Sequence, residues 1–197
     1  MSRERRKSSC CSKFIIVPLI LIITVVILFS TGVFDKLKNK AETVIYPLKY
    51  EEEIRFASEE YGLAPEFISA VIYTESKFNK RAQSSAGAKG LMQLLPTTFE
   101  WLQRLRDTES EALDIMNPSV NIDYGCYYIS YLTERYTDPY TAMAAYNAGH
   151  TRVDEWLKNT EYSEDGITLK NIPYEETSNY VKKIRNAETK YKELYFN

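Results

Sequence analysis

Glu75 stands on the apolar side of a helical pattern. Phe67, Ile68, Val71 and Ile72 recur at three- and four-residue spacing, and Glu75 follows Val71 by four and Ile72 by three. A carboxylate in that position loses hydration, so its ionised form is costly and its pKa should rise. A carboxylic acid still protonated near neutral pH is what general acid catalysis requires. The competing reading is a Glu near a helix C-terminus whose side chain bends out to water.

Three further segments are unusual for plain helix or loop. They are Gly90-Leu91-Met92-Gln93-Leu94-Leu95-Pro96, then Ala145-Tyr146-Asn147-Ala148-Gly149, then Pro173-Tyr174-Glu175-Glu176-Thr177 running on to Tyr180-Val181. Each has an ordinary explanation. The first reads as a turn with an apolar anchor, the second as a helix stop at glycine, and Tyr180-Val181 as core.

The elements that must position these residues are helical. A short helix is predicted from about Glu51 to Tyr61, closed by Gly62. Pro65 opens the Glu75 helix. The polar stretch 79–90 (NKRAQSSAGAKG) reads as a loop. Thr97 to Arg106 is predicted as the next helix. Asn117-Pro118 begins a longer one, with Ile122, Gly125, Ile129, Leu132 and Tyr136 on one stripe. Gly125 suggests a close helix–helix approach or a tolerated weak point. Pro139 starts a short helix, residues 151–158 suggest another, and the last runs from about Tyr174 to the C-terminus. Val181, Ile184, Ala187, Tyr191 and Leu194 face inward there. Ser163 to Asn171 reads as a loop with room for a small hairpin. No repeat or strand series is present, so the expected fold class is all-α, in a domain of about 145 residues that can bury a real core.

The first third of the 197-residue chain differs. Residues 1–13 hold Arg3, Arg5, Arg6, Lys7 and Lys13 against Glu4 alone. Phe14 to Phe34 then runs twenty-one residues without a charge, enough to cross a bilayer core of ~30 Å at ~1.5 Å per residue. A cleaved signal peptide is the rival. Its apolar region is usually only ~7–15 residues, and Ser30-Thr31-Gly32 is a poor cleavage site, which favours an uncleaved anchor. The basic residues then stay in the cytosol and the rest lies outside the cell. The expected organisation is a cytoplasmic basic tail (1–13), one N-terminal transmembrane helix (14–34), a stalk (35–50) without sustained period, and a catalytic domain (51–197).

Residues 14–197 are net acidic by about six charges, which argues against nucleic acid as a partner. One histidine (His150) and no CxxC pair argue against a zinc site, and no other metal or cofactor is expected. Cys126 reads as a small buried hydrophobe. The sixteen tyrosines supply core and, where exposed, faces suited to stacking on sugars.

In this order and spacing, Glu75-Ser76 with Phe78, GLMQLLP at 90–96, AYNAG at 145–149 and PYEETSNYV at 173–181 resemble the catalytic domain of soluble-lytic-transglycosylase type. These are the family 1 lytic transglycosylases, glycoside hydrolase family 23. The resemblance implies a goose-type lysozyme-like helical fold with a long saccharide groove. It implies peptidoglycan glycan strands as partner, cleaved at the β-1,4 bond between N-acetylmuramic acid and N-acetylglucosamine. It makes Glu75 the sole catalytic acid/base. Most glycosidases use two carboxylates. Here one suffices if the muramoyl C6 hydroxyl attacks C1 of its own sugar and leaves a 1,6-anhydro end.

The remaining motif residues are then expected to bind substrate. Gln93 and Asn147 offer amide groups suited to N-acetyl groups and hydroxyls. Tyr146 would bond near Glu75 or support the sugar, and Met92 would form an apolar groove wall. Ser76 would orient substrate or Glu75, Tyr180 would lie near the carboxyl, and Glu176 would be structural. The motifs name no partner in wall or secretion machinery. A hydrolytic muramidase is the competing reading and needs Asp107, Glu109, Glu111, Asp114 or Asp123 to reach across the groove. A glycan-binding module that has lost activity is the third.

Overall fold

The computed structural model describes residues 17–19, 25 and 32–197. The chain divides into two compact units, 1–45 and 46–197. In the first, helix α1 spans Val33–Ile45. The sequence showed no sustained period over 35–50, yet Lys, Leu, Ala and Glu are good helix formers, and none of the described side chains of α1 is fully buried. Leu37, Val44 and Ile45 are exposed on it. The expected basic tail and membrane-spanning helix lie outside the described residues, apart from 17–19, 25 and 32–34. No helix among the described residues is long and apolar enough to cross a membrane.

The second unit contains helices α2 (Glu51–Tyr61), α3 (Pro65–Ser76), α4 (Pro96–Leu105), α5 (Pro118–Arg135), α6 (Pro139–Ala148), α7 (His150–Leu157) and α8 (Glu175–Tyr195). Four of these open on proline, whose fixed φ suits the first turn and whose missing N–H would have no partner there. Asn117 and Asp138 cap α5 and α6 by accepting from Ser119 N and Thr141 N. Gly62 closes α2 in the left-handed conformation.

Helix α3 is the hub. It packs mainly on α8 and also on α2, while α5 joins α2, α4 and α6, and α6 joins α7 and α8. Phe67 to Ile72 are all buried, so α3 is enclosed on every side rather than along one stripe. Burying Ile68, Val71 and Ile72 contributes about 1.5–3 kcal/mol each. A smaller cluster of Leu94, Phe99, Leu102 and Tyr124 fixes α4 on α5.

Tyr46 to Tyr50 join the second unit, ahead of the expected start at 51. The Tyr195 hydroxyl donates to the Tyr46 carbonyl (2.7 Å) and that of Tyr191 to the Pro47 carbonyl (2.9 Å). No hairpin forms over 163–171. There Asp165 Oδ1 accepts from Ile167 N, Thr168 N and Ser163 Oγ, closing a side-chain-stapled loop. The isolated antiparallel bridges fall instead at Gln83–Lys89 and Lys89–Leu94.

Candidate active site

Glu75 lies in the last turn of α3 and is half-buried. Tyr180, near the start of α8, donates its hydroxyl to Glu75 Oε1 at 2.6 Å. Burial pushes the Glu75 carboxyl up to about 7, and the Tyr180 bond partly opposes the rise by favouring the ionised form. The group is therefore poised where both protonation states are populated at neutral pH. Beyond Ser76, Lys77 and Phe78 both adopt positive φ (53° and 61°), which turns the chain and buries Phe78. Ser76 Oγ donates back to the Ile72 carbonyl at 3.1 Å.

The 90–96 segment is built around a buried residue that the motif reading did not single out. Asn121 of α5 is fully buried. Its Oδ1 accepts from Met92 N (2.7 Å), and its Nδ2 donates to the carbonyls of Lys89 (3.0 Å) and Ile115 (2.8 Å). Gly90 has φ +77°, and a Cβ there would collide with the Asn121 side chain. The only sequence signal for Asn121 was a polar residue beside the apolar stripe at Ile122.

Met92 is not a groove wall. Its side chain is fully buried, seated over Gly125 with its sulfur 4.0 Å from Cys126 Sγ. Gly125 thus admits a loop side chain rather than a second helix. Gln93 is half-buried at φ 49°, and its Nε2 donates to Ala82 O (3.2 Å) and Gly90 O (2.9 Å). Both amide donors are spent on the turn, leaving Oε1 as its outward polar atom.

Tyr146 does not bond Glu75 directly. Its hydroxyl donates to the Met92 carbonyl at 2.7 Å, and its ring lies 5.1 Å from that of Tyr128. Burial first, then the negative charge of Glu75, raises its pKa well above the usual phenol range, which keeps it a neutral donor beside the carboxyl. Asn147 is exposed and accepts from Thr177 Oγ1 of α8 at 2.8 Å. Its amide nitrogen has no hydrogen-bond partner among the described residues.

These bonds join the four motif segments in series. Glu75 meets Tyr180 of the last segment, Thr177 of that segment meets Asn147 of AYNAG, and Tyr146 of AYNAG meets Met92 of GLMQLLP. Glu176 stays exposed in the first turn of α8, where a negative charge suits the helix dipole. The acidic residues proposed for the hydrolytic reading sit elsewhere. Asp107, Glu109, Glu111 and Asp114 are exposed around the α4–α5 connection. Asp123 is taken by Arg106 Nη1 (2.6 Å) and the Tyr61 hydroxyl. Among the described residues, burial and the Tyr180 bond act on the Glu75 carboxyl, and no carboxylate neighbour contributes.

Residues 52–168 match the family described as the transglycosylase SLT domain. The chain belongs to that family. The match takes in Glu75, the 90–96 segment and AYNAG, and ends before the segment carrying Tyr180. The chain is 29% identical over 143 residues to the soluble lytic murein transglycosylase of Escherichia coli, covering 71% of this chain and 22% of that protein. It is 31% identical over 166 residues to the membrane-bound lytic murein transglycosylase C of Actinobacillus pleuropneumoniae, covering 73% of this chain and 46% of that one. The chain thus spans less than half the length of either. Among solved structures, an inactive Glu→Gln variant of a lytic transglycosylase from Pseudomonas aeruginosa matches with a TM-score of 0.67 and 29% identity, over 77% of this chain and 25% of that one. The chain therefore shares its fold with a solved lytic transglycosylase.

Proposed function

We propose that this SLT-family chain is a lytic transglycosylase acting on peptidoglycan, with Glu75 as its single acid and base. The observation that carries the reading is the Glu75–Tyr180 contact: a half-buried carboxyl poised at about 7, with no carboxylate partner. A two-carboxylate hydrolase needs a second acid across the groove. Asp123 is engaged by Arg106 and Tyr61 instead. The names of the relatives support the activity, and the inactive Glu→Gln variant of the Pseudomonas aeruginosa lytic transglycosylase is consistent with an essential glutamate.

In the proposed reaction, protonated Glu75 gives its proton to the glycosidic oxygen between N-acetylmuramic acid and N-acetylglucosamine. The C1–O bond breaks as positive charge develops on the muramoyl ring. The Glu75 carboxylate, steadied by the Tyr180 hydroxyl, then takes the proton of the muramoyl C6 hydroxyl. The C6 oxygen bonds to C1, closing the 1,6-anhydro ring and returning the proton to Glu75. No water is consumed, and tethering of the nucleophile replaces its activation by a second enzyme group. Asn147 Nδ2 and Gln93 Oε1 supply a donor and an acceptor to acetamido and hydroxyl groups, while Ser76 lines the carboxyl's end of the groove. Tyr146 fixes the ring beside Glu75.

The apolar segment 14–34 holds this domain outside the membrane, with residues 1–13 in the cytosol. The membrane-bound name of the Actinobacillus relative supports membrane association. Mass spectrometry of digested peptidoglycan tests the catalytic reading. Anhydro-muramoyl ends are expected, and ordinary reducing ends would make the chain a muramidase.

A further inference from the structure

A hollow lies on a different side of α8 from Tyr180. Ser178, Val181, Lys182 and Arg185 fall on one stripe of the helix, about 150° around from Tyr180. The start of α6 and the segment 169–172 form the other walls, enclosing about 340 Å³. The Leu169 amide donates to Thr141 Oγ1 at 3.1 Å, which ties that segment to α6 and fixes the shape.

The charges around this hollow are unequal in their commitments. Asp138 Oδ2 is occupied by the Thr141 amide (2.7 Å) and hydroxyl (2.8 Å) as the cap of α6. Glu188 accepts from the Tyr140 hydroxyl at 2.7 Å. Lys170 is paired with Glu164 at 2.7 Å. Lys182 and Arg185 form no ion pair among the described residues, and both are exposed. The Arg185 guanidinium carbon lies 3.7 Å from the Tyr140 ring centroid. That contact uses the face of the guanidinium and leaves its N–H edges to grip a planar anion.

Lys182, Arg185 and the Ser178 hydroxyl therefore line one hollow in a domain that is otherwise acidic. Leu169, Ile172 and Val181 give the hollow an apolar side. A small aliphatic residue ending in a carboxylate satisfies both parts. A bare phosphodiester has nothing to lay against the apolar side.

We propose that this hollow binds a free peptide carboxylate of the kind that ends a peptidoglycan stem peptide. It thereby holds a wall strand from the opposite side of α8 to the one that carries Glu75 chemistry. The assignment rests on the peptidoglycan reading above, although its test is a binding measurement. The full chain in detergent is titrated with a stem tetrapeptide ending in a free D-alanine carboxylate, and with the same peptide amidated at that end. Amidation is expected to weaken binding about ten-fold or more, as is Lys182→Glu or Arg185→Gln toward the free acid, the loss of one charge-assisted contact to a carboxylate. Circular dichroism checks that the variants are folded. Equal binding of acid and amide, undiminished binding by folded Lys182→Glu, or tighter binding of glycerol phosphate oligomers would overturn the site. Anhydro ends made by a chain that treats acid and amide alike would sink this site alone. Reducing ends made by a chain that prefers the acid would sink the catalytic reading alone.

Discussion

Replacing Tyr180 by phenylalanine removes one oxygen and leaves the ring in the core. The lost bond is a 2.6 Å contact from a phenol to a carboxylate, a class worth about 1.5–3 kcal/mol when formed to a charged group. In the wild type this bond opposes the burial that raises Glu75 to about 7. Its removal disfavours the ionised carboxyl further. At about 1.4 kcal/mol per pH unit, the Glu75 titration should move about one to two units toward alkali. The acid must be protonated for the first step, so kcat/KM of the wild type should fall on a single alkaline limb near 7. Tyr180→Phe should carry that limb upward by the same one to two units, with a lower kcat because the carboxylate has lost its support in the second step. Initial rates of anhydro-muropeptide release from purified sacculi, taken from pH 5 to 10, measure this. A limb that stays in place, or moves toward acid, refutes the account of how Glu75 is tuned.

Glu75→Gln should abolish cleavage and also change the pH dependence of stability. The folded carboxyl titrates near 7 against an ordinary value of 4.5, so the wild type loses stability as pH rises through that interval and the glutamine variant does not. The gap implies about 3 kcal/mol, or about 2 kcal/mol after allowing for solvent reaching a half-buried group. Melting temperatures should therefore agree at pH 4 and favour the variant at pH 8, and a pH-independent difference would contradict this. Asn121→Leu leaves the Met92 amide and two carbonyls without their buried partner and should cost about 2–4 kcal/mol in urea denaturation; a loss under about 1 kcal/mol would mean the turn does not depend on it. Thr177→Val frees Asn147 and should lower kcat/KM about five-fold, the equivalent of about 1 kcal/mol, with melting nearly unchanged. Unaltered kinetics would remove Asn147 from the substrate contacts.

The helices were legible because their starts are written in proline and their faces in apolar spacing. Pro65, Pro96, Pro118 and Pro139 open α3 to α6, and Ile122, Ile129 and Leu132 are buried on α5, with Tyr136 buried just past its end. Helix α1 was not legible, since 33–45 carries helix-forming residues but no sustained apolar period. Glu75 and Tyr180 could be named from motif order, and the structure brings them together. Motif order says nothing about which way a side chain turns. Met92 turns inward because Gly125 leaves room beneath it, and the Gln93 donors turn onto the loop because two carbonyls lie within reach. Asn121 escaped notice because one buried amide inside a helix has no spacing to announce it.

The contacts that complete the site link residues 30, 54 and 105 positions apart. Synthesis runs from the N-terminus, so Glu75 exists long before the helix that supplies Tyr180. Until α8 docks on α3, Glu75 lacks both its partner and much of the enclosure that lifts its pKa. A partly made chain then carries the acid as an ordinary solvated carboxylate, ionised and useless for protonating a glycosidic oxygen. Under the proposed mechanism, catalytic competence becomes a late event in the life of the chain, and activity would report that the last helix is in place.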